Sequence, residues 1–302
     1  MSKTGAGADL SANERAFILE ALQQNVRLDG RALDQFRPLE IEFGAEFGHV
    51  IVRLGKTSVI VRVSAEITKP RAERECDGIF TVALELNDMA MSGFETGRQS
   101  ETETTISRTL DKIIRRSNAL DTESLCLAKG LACWHVRADV HVVDADGGLI
   151  DTCCIAILTA LQRFRLPESS VRDGEITVYG LDEKVPAPLN LTKLPLAITF
   201  NIYNKGRVFV MDATAKEEAV SEGTLLVALD KTGEIALYSK SDGTPADPLT
   251  MVQCSNLALM KVKELHKIIA KRLADDIKLQ EERERERTGI TLAEASAANE
   301  RE

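Results

Sequence analysis

Stretches with a two-residue hydrophobic repeat alternate along this chain with stretches whose apolar residues recur every three or four positions, the periods of strand and helix. A first helix is predicted over residues 12–24. Ser11 precedes Glu14 by three positions, so each side chain can satisfy a backbone N–H near the other, and Phe17, Ile18 and Leu22 supply the apolar side. Turn chemistry at Val26-Arg27-Leu28-Asp29-Gly30-Arg31 ends it. Alternating strands follow over 39–43, 49–54, 58–67 and 79–86, with Gly55-Lys56 closing a hairpin between the second and third. After a polar loop over 92–101 come a helix at 103–117, a less amphipathic helix at 123–134, a strand at 135–143 and a Gly-rich turn at 144–148. A mostly apolar helix over 150–164 carries Ile157, Leu158 and Leu161.

The second half repeats the theme. Residues 167–173 read as a linker, and strands follow at 175–179, 196–203, 207–213, 224–229 and 234–239. Asn204-Lys205-Gly206 and Lys231-Thr232-Gly233 are hairpin turns. Asp247 as cap and Pro248 at the first helical position start a long helix with Val252, Leu257, Leu259, Met260, Leu265, Ile269 and Leu273. From Glu281 to Arg287 no apolar face remains, which predicts a solvated helix end and then a flexible tail. The organisation expected is an N-terminal helix and lead-in (1–30), a first half (31–166), a linker and strand (167–190), a second half (191–275) and a charged tail (276–302). That is an α+β fold of two pseudo-repeated β-rich halves with helices packed on the sheets.

Composition narrows the function classes. With 302 residues, 44% of them hydrophobic and 28% charged, the chain can bury a substantial core. It has no apolar run of the ~18 residues needed to span a membrane, and its N-terminus lacks the apolar core of a secretory signal. A net charge of −9 argues against a free-standing basic nucleic-acid binder but leaves room for a local basic patch. Six cysteines without a CxxC, two of them adjacent in the apolar helix at Cys153 and Cys154, read as reduced thiols. Cys126, Cys133 and His135 do not have zinc-finger spacing, so no metal is expected.

Three motifs fail on inspection. Gly55-Lys56-Thr57 ends like a phosphate-binding loop, but Val50 stands where the motif needs Gly, and strands flank it. Asp144-Ala145-Asp146-Gly147-Gly148 begins like a calcium loop, but Leu149 and Ile155 occupy positions that need Gly and Glu. The four histidines suggest no metal or triad. The helix at 103–117 is different. Arg108, Lys112, Arg115 and Arg116 fall within a sector of roughly 100°, opposite Ile106, Leu110, Ile113 and Ile114. One side packs and the other is a basic stripe of the kind that holds phosphates through Arg forks and Lys point charges, or is simply a solvated face.

Arg27-Leu28-Asp29-Gly30-Arg31 resembles the RxDGR signature of RNase PH-like proteins. Asp139-Val-His-Val-Val-Asp-Ala-Asp-Gly-Gly148 before an apolar helix is similar to that family's strand–Asp-Gly-Gly–helix core. The stretch Asn118-Ala-Leu-Asp-Thr-Glu-Ser-Leu-Cys126, with Trp134, resembles the exosome ring subunits of the polymyositis/scleroderma autoantigen type. The similarity runs from about Arg15 to Arg272. It implies the RNase PH-like fold. Active members are phosphorolytic 3′→5′ exoribonucleases that hold inorganic phosphate in an Arg/Thr cradle beside two Asp, because the attacking anion must be held in line with the scissile linkage. Here the cradle positions are Leu149, Ile150 and Asp151, the phosphate Arg before the basic helix is Thr102, and the Asp pair falls on Glu218 and Thr224. Apolar side chains cannot cradle phosphate, Asp151 would repel it, and Thr224 lacks the charge.

The resemblance therefore implies a non-catalytic exosome ring subunit without cofactor, supporting 3′→5′ RNA processing and degradation through channel formation, RNA binding and scaffolding. Arg108, Lys112 and Arg115, with Arg116, would hold single-stranded RNA. Implied partners are a second RNase PH-like subunit in a dimer, the hexameric ring closed by such dimers, RNA-binding cap subunits and docked hydrolytic ribonucleases. Implied residence is nucleus, nucleolus and cytoplasm. Two alternatives stay open: an active phosphorolytic enzyme, alone or through a site shared with the ring partner, and a scaffold that touches no RNA.

Overall fold

The computed structural model describes residues 10–87, 90, 100–172, 175–180, 184–241, 243, 245 and 247–288. The chain forms two compact units, 1–263 and 264–302. Most of the polar loop expected over 92–101, and the last residues of the tail, lie outside the described residues.

Helix α1 (Ala12–Gln23) begins with the expected reciprocal cap between Ser11 and Glu14. It buries Ile18 and Leu22, but Phe17 is 62% exposed, because the packing side is centred one position further on. Strands β1 (Leu39–Phe43), β2 (His49–Leu54), β3 (Thr57–Thr68), β4 (Ile79–Leu86), β5 (Cys126–Ala128) and β6 (Ala132–Asp144) form the first sheet, in the order β1-β2-β3-β6-β4 with β5 on β6. Leu54 pairs with Thr57 across Gly55-Lys56, so the predicted hairpin forms, with Gly55 at φ +60. The β4–β6 pair is parallel, and α2 (Glu101–Arg116) lies on the connection between them, as parallel pairing requires.

Residues 123–134 are not a helix. A short 3-10 turn (Glu123–Leu125), β5 and the start of β6 occupy them, with Gly130 at φ +69 between the strands. β5 folds back on the start of β6, and Cys133 and Trp134 pair with Thr68 and Ile67 of β3, so strand pairing overrides the apolar run's helical pattern.

Helix α3 (Leu149–Arg163) packs on β2, β3 and β6, and on β11 (Leu196–Tyr203) of the second half. Covered from both sheets, it is buried at every residue from Asp151 to Leu161, which explains its nearly unbroken apolar sequence. Beyond it, β7 (Arg165–Leu166) pairs with β10 (Ala187–Pro188), and β8 (Ser169–Arg172) with β9 (Glu175–Val178). The expected linker at 167–173 thus contains a strand. The second sheet runs β12-β11-β13-β14, with β12 (Val208–Met211), β13 (Gly223–Leu229) and β14 (Ile235–Ser241). Both predicted hairpins close it, the first through Asn204, Lys205 and Gly206, all at positive φ.

A short helix, α4 (Ala215–Val220), lies between β12 and β13 and was not anticipated. Helix α5 (Pro248–Thr288) starts where Asp247 and Pro248 predicted, with the Asp247 carbonyl accepting from the Met251 N–H. Within the first unit its buried residues are Cys254, Ala258 and Val262, while Val252 and Met260 are exposed.

Candidate nucleic-acid interface

Helix α2 is held on β4 by its own polar side chains. Ser100 caps its N-terminus in a reciprocal pair with Glu103. The Glu103 carboxylate accepts from the Leu86 N–H of β4 at 2.8 Å and from the Ser100 N–H at 2.8 Å. One turn later Ser107 Oγ donates to the Val82 carbonyl at 3.0 Å. These bonds and the buried Ile106, Leu110, Ile113 and Ile114 set the helix rotation. The opposite side therefore faces solvent, and Arg108, Lys112, Arg115 and Arg116 are all exposed on it. Only Arg115 is paired among the described residues, with Asp111 at 3.0 Å, and both side chains stay in contact with water. Exposed pairs of this kind contribute at most about 1 kcal/mol, so Arg115 can exchange its partner for a phosphate. Thr102 sits half-buried in the first turn of the same helix, and its hydroxyl supplies no charge.

The other predicted positions gather at the junction of the two halves. Gly147 and Gly148 have φ of +77 and +64, and Gly148 is the N-cap of α3. A Cβ on Gly147 would stand 2.4 Å from the Ala213 carbonyl, so only glycine fits. A helix N-terminus of this kind attracts anions. Here a side chain of the chain itself takes the place: the Gly148 N–H donates to Glu218 Oε1 at 2.8 Å. Burial pushes the Glu218 carboxyl up to about 7; the Gly148 N–H and Arg37 oppose that, while Asp212 and Asp146 add to it. Leu149 and Ile150 occupy the first turn, half-buried.

Asp151 departs from expectation. It is fully buried, and its carboxylate accepts from the Thr199 N–H at 2.8 Å and the Thr199 hydroxyl at 2.6 Å. It fastens α3 to β11 rather than facing an incoming anion, so direct repulsion of phosphate is not its role. Burial raises its carboxyl to about 7, against the two hydrogen bonds that lower it. Thr224 pairs with Asn201 on β11, two residues beyond Thr199 and so on the same face.

A network of three arginines, Arg27 and Arg37 buried and Arg31 partly so, supports these positions and was not read from the sequence. Arg27 holds Glu217 with both Nε (3.1 Å) and Nη2 (2.6 Å), and donates to the carbonyls of Met211 and Asp212. Arg31 reaches Asp212 Oδ2 at 2.9 Å. Arg37 holds Asp212 Oδ1 at 2.7 Å and donates to Thr57, the Asp146 carbonyl and the Gly147 carbonyl. The Arg27–Arg31 motif thus clamps the N-terminal segment onto the end of β12 and onto α4, while Ile18 and Leu22 pack with Tyr203, Val210 and Val220. Arg27 and Arg31 stood out as a motif, but their partners lie about 180 residues away, and nothing local marked Arg37 or Asp212. Among the described residues, no group of three or more His, Cys, Asp or Glu is arranged to hold a metal.

Two family models divide this architecture between them. The 3′ exoribonuclease family, domain 1, matches residues 35–167, and its domain 2 matches residues 193–261. The chain belongs to the 3′ exoribonuclease (RNase PH) family. Among curated members of the family it is 43% identical to the exosome complex component rrp45 of Schizosaccharomyces pombe, over 90% of this chain and 94% of that protein. It is 38% identical to exosome complex component RRP45 of Homo sapiens, over 90% of this chain and 62% of the human one. Among solved structures, a chain of the Archaeoglobus fulgidus exosome with RNA bound to the active site superposes with a TM-score of 0.74 at 28% identity, covering 84% of this chain and 96% of that one. The resemblance read from Arg27–Arg31 and Asp139–Gly148 thus extends across both halves, and the two-domain RNase PH fold is the one observed.

Proposed function

We propose that this chain is a core subunit of an RNA exosome ring that holds single-stranded RNA on the exposed side of α2 while other subunits cut it. The observation that carries the reading is the stripe of Arg108, Lys112, Arg115 and Arg116, exposed on a helix whose rotation is fixed by Glu103 and Ser107. Its curated relatives are exosome complex components, which supports the assembly. Phosphates bound along such a stripe release counterions, so retention of RNA weakens steeply with salt.

The same reading assigns no phosphorolysis to this chain. The α3 N-terminus, where an attacking phosphate would gain most, is occupied by Glu218, flanked by Leu149 and Ile150. The Glu218 carboxyl in that position takes up the space and the Gly148 N–H that a second anion would need. Thr102 and Thr224 offer hydroxyls where charged groups would be needed. The partners that fit are a second RNase PH-like subunit in a dimer, the hexameric ring built from such dimers, RNA-binding caps and docked hydrolytic ribonucleases. Residence in nucleus, nucleolus and cytoplasm follows from that assembly. No helix among the described residues is long and apolar enough to cross a membrane.

The test is a 3′-tailed RNA decay assay with inorganic phosphate, on the chain alone, paired with its ring partner, and in the assembled complex. No nucleoside diphosphate release from chain or pair, with RNA protection by the complex that falls when Arg108→Glu and Arg115→Glu are combined, is the expected result. Diphosphate release by chain or pair overturns the non-catalytic reading, and unchanged protection overturns the RNA-holding one.

A further inference from the structure

A cleft of about 290 Å³ opens where the C-terminal end of α2 meets the β3–β4 connection. Its rim carries three guanidinium groups, Arg71, Arg74 and Arg115, and two carboxylates, Glu73 and Asp77. Phe80, Ile114 and Leu120 form an apolar floor. Asn118, held at φ +51 just past the end of α2, adds an amide to the wall. The volume lies at the small end of ligand sites, enough for one flat heterocycle with its sugar rather than a folded segment.

Several features make this cleft a continuation of the α2 stripe rather than a separate dimple. Arg115 belongs to both, and Arg108 lies only about 10 Å further up the helix axis. The connection is pre-ordered: the Gly78 N–H donates to the Thr122 carbonyl at 2.8 Å, and the Gly130 N–H to the Glu75 carbonyl at 3.1 Å. Binding therefore does not first have to order the loop. The Arg74–Asp77 pair is long at 3.4 Å, and the Arg74 side chain is 75% exposed, so the pair costs little to open. Arg71 has no carboxylate partner among the described residues and is exposed. A rim with both signs of charge over an apolar floor matches a nucleotide's parts: phosphate oxygens for the arginines, base N–H donors for a carboxylate, and a ring face for the floor.

We propose that this cleft is a nucleotide subsite that takes one unit of single-stranded RNA next to the α2 stripe, with the phosphate between Arg71, Arg74 and Arg115 and the base directed toward Asp77 and Asn118. The inference rests on the RNA-holding reading of α2 and adds to it a fixed position for one nucleotide.

Photo-crosslinking of 4-thiouridine RNA to the assembled complex, mapped by mass spectrometry, separates the two. Wild type should crosslink both within α2 and within residues 71–80 or 118–122. The double variant Arg71→Glu with Arg74→Glu should lose the second set, keep the first, and lower the log–log salt slope of RNA retention by about 0.7, the single-strand value for the one phosphate the cleft holds. The milder Arg71→Gln with Arg74→Gln should act in the same direction, which guards against a misfolded loop. Crosslinks confined to α2 in wild type overturn the subsite and leave the stripe standing. Absence of both sets overturns both readings. Ring assembly lost in the variants, with no wild-type crosslink at the cleft, also overturns the subsite and assigns the cleft to a protein segment.

Discussion

Replacing Asp151 by Asn tests whether the buried carboxyl beneath α3 is a stabilising anchor or a concealed liability. Asp151 has no exposure and accepts two hydrogen bonds from Thr199. An Asn side chain of the same shape keeps the bond from the Thr199 N–H on its oxygen and reverses the other, its amide donating to the Thr199 hydroxyl, so packing and the two contacts with Thr199 are conserved. What changes is the charge. Raising the carboxyl from 3.8 to about 7 corresponds to about 4 kcal/mol of proton-binding free energy between the folded and unfolded chain. The sign follows from the direction. A folded-state value above the unfolded one means that the native chain binds more protons, so this contribution is fully present below about pH 4 and is lost as pH rises through about 7. Between pH 5 and pH 8 wild type should lose between about 2 and 3 kcal/mol through this group alone.

Asp151→Asn removes that loss. Against it stands the attraction of a carboxylate for the first turn of α3, about 0.3–1 kcal/mol, which is too small to reverse the outcome. Urea unfolding of the full chain at pH 5 and pH 8 measures both variants. The expected result is a flatter pH dependence for Asp151→Asn and higher stability than wild type at pH 8. Equal slopes, or an Asn variant weaker than wild type at both pH values, would refute the reasoning and make the ionised carboxylate a net stabiliser.

Other substitutions probe the junction and the stripe. Arg37→Ala leaves the buried Asp212 with Arg31 as its only guanidinium partner, beside the backbone N–H of residue 37, and removes the side-chain donor to the Asp146 carbonyl, so chemical denaturation should show a loss of about 3–5 kcal/mol. Gly147→Ala drives a Cβ to 2.4 Å from the Ala213 carbonyl at a φ of +77, and its melting temperature should fall by an amount matching about 1–3 kcal/mol. Lys112→Arg replaces a point charge by a planar fork on an exposed face, so RNA retention by the complex in filter binding should rise while stability stays within about 0.5 kcal/mol of wild type.

Local sequence determined a good deal here. Alternation over β2 and β3, the Gly55-Lys56 turn, the reciprocal Ser11–Glu14 cap and the Pro248 start of α5 are short-range rules, and they hold in the structure. The basic stripe was equally legible, because a 3.6-residue period alone places Arg108, Lys112 and Arg115 on one side and Ile106, Leu110 and Ile113 on the other. What tertiary structure decided is of a different kind. Residues 126–134 became strand because β5 folds back on the start of β6, whose Cys133 and Trp134 pair with Thr68 and Ile67 of β3, partners that no twelve-residue window contains. Asp151 turned inward because β11, nearly fifty residues later, offers Thr199. Arg27, Arg31 and Arg37 found Asp212 and Glu217 only when the chain folded the N-terminal segment across the second half. Hydrophobic period is a property of neighbours in sequence, whereas the cost of burying a charge is set by the partner that neutralises it, and that partner is chosen by the fold.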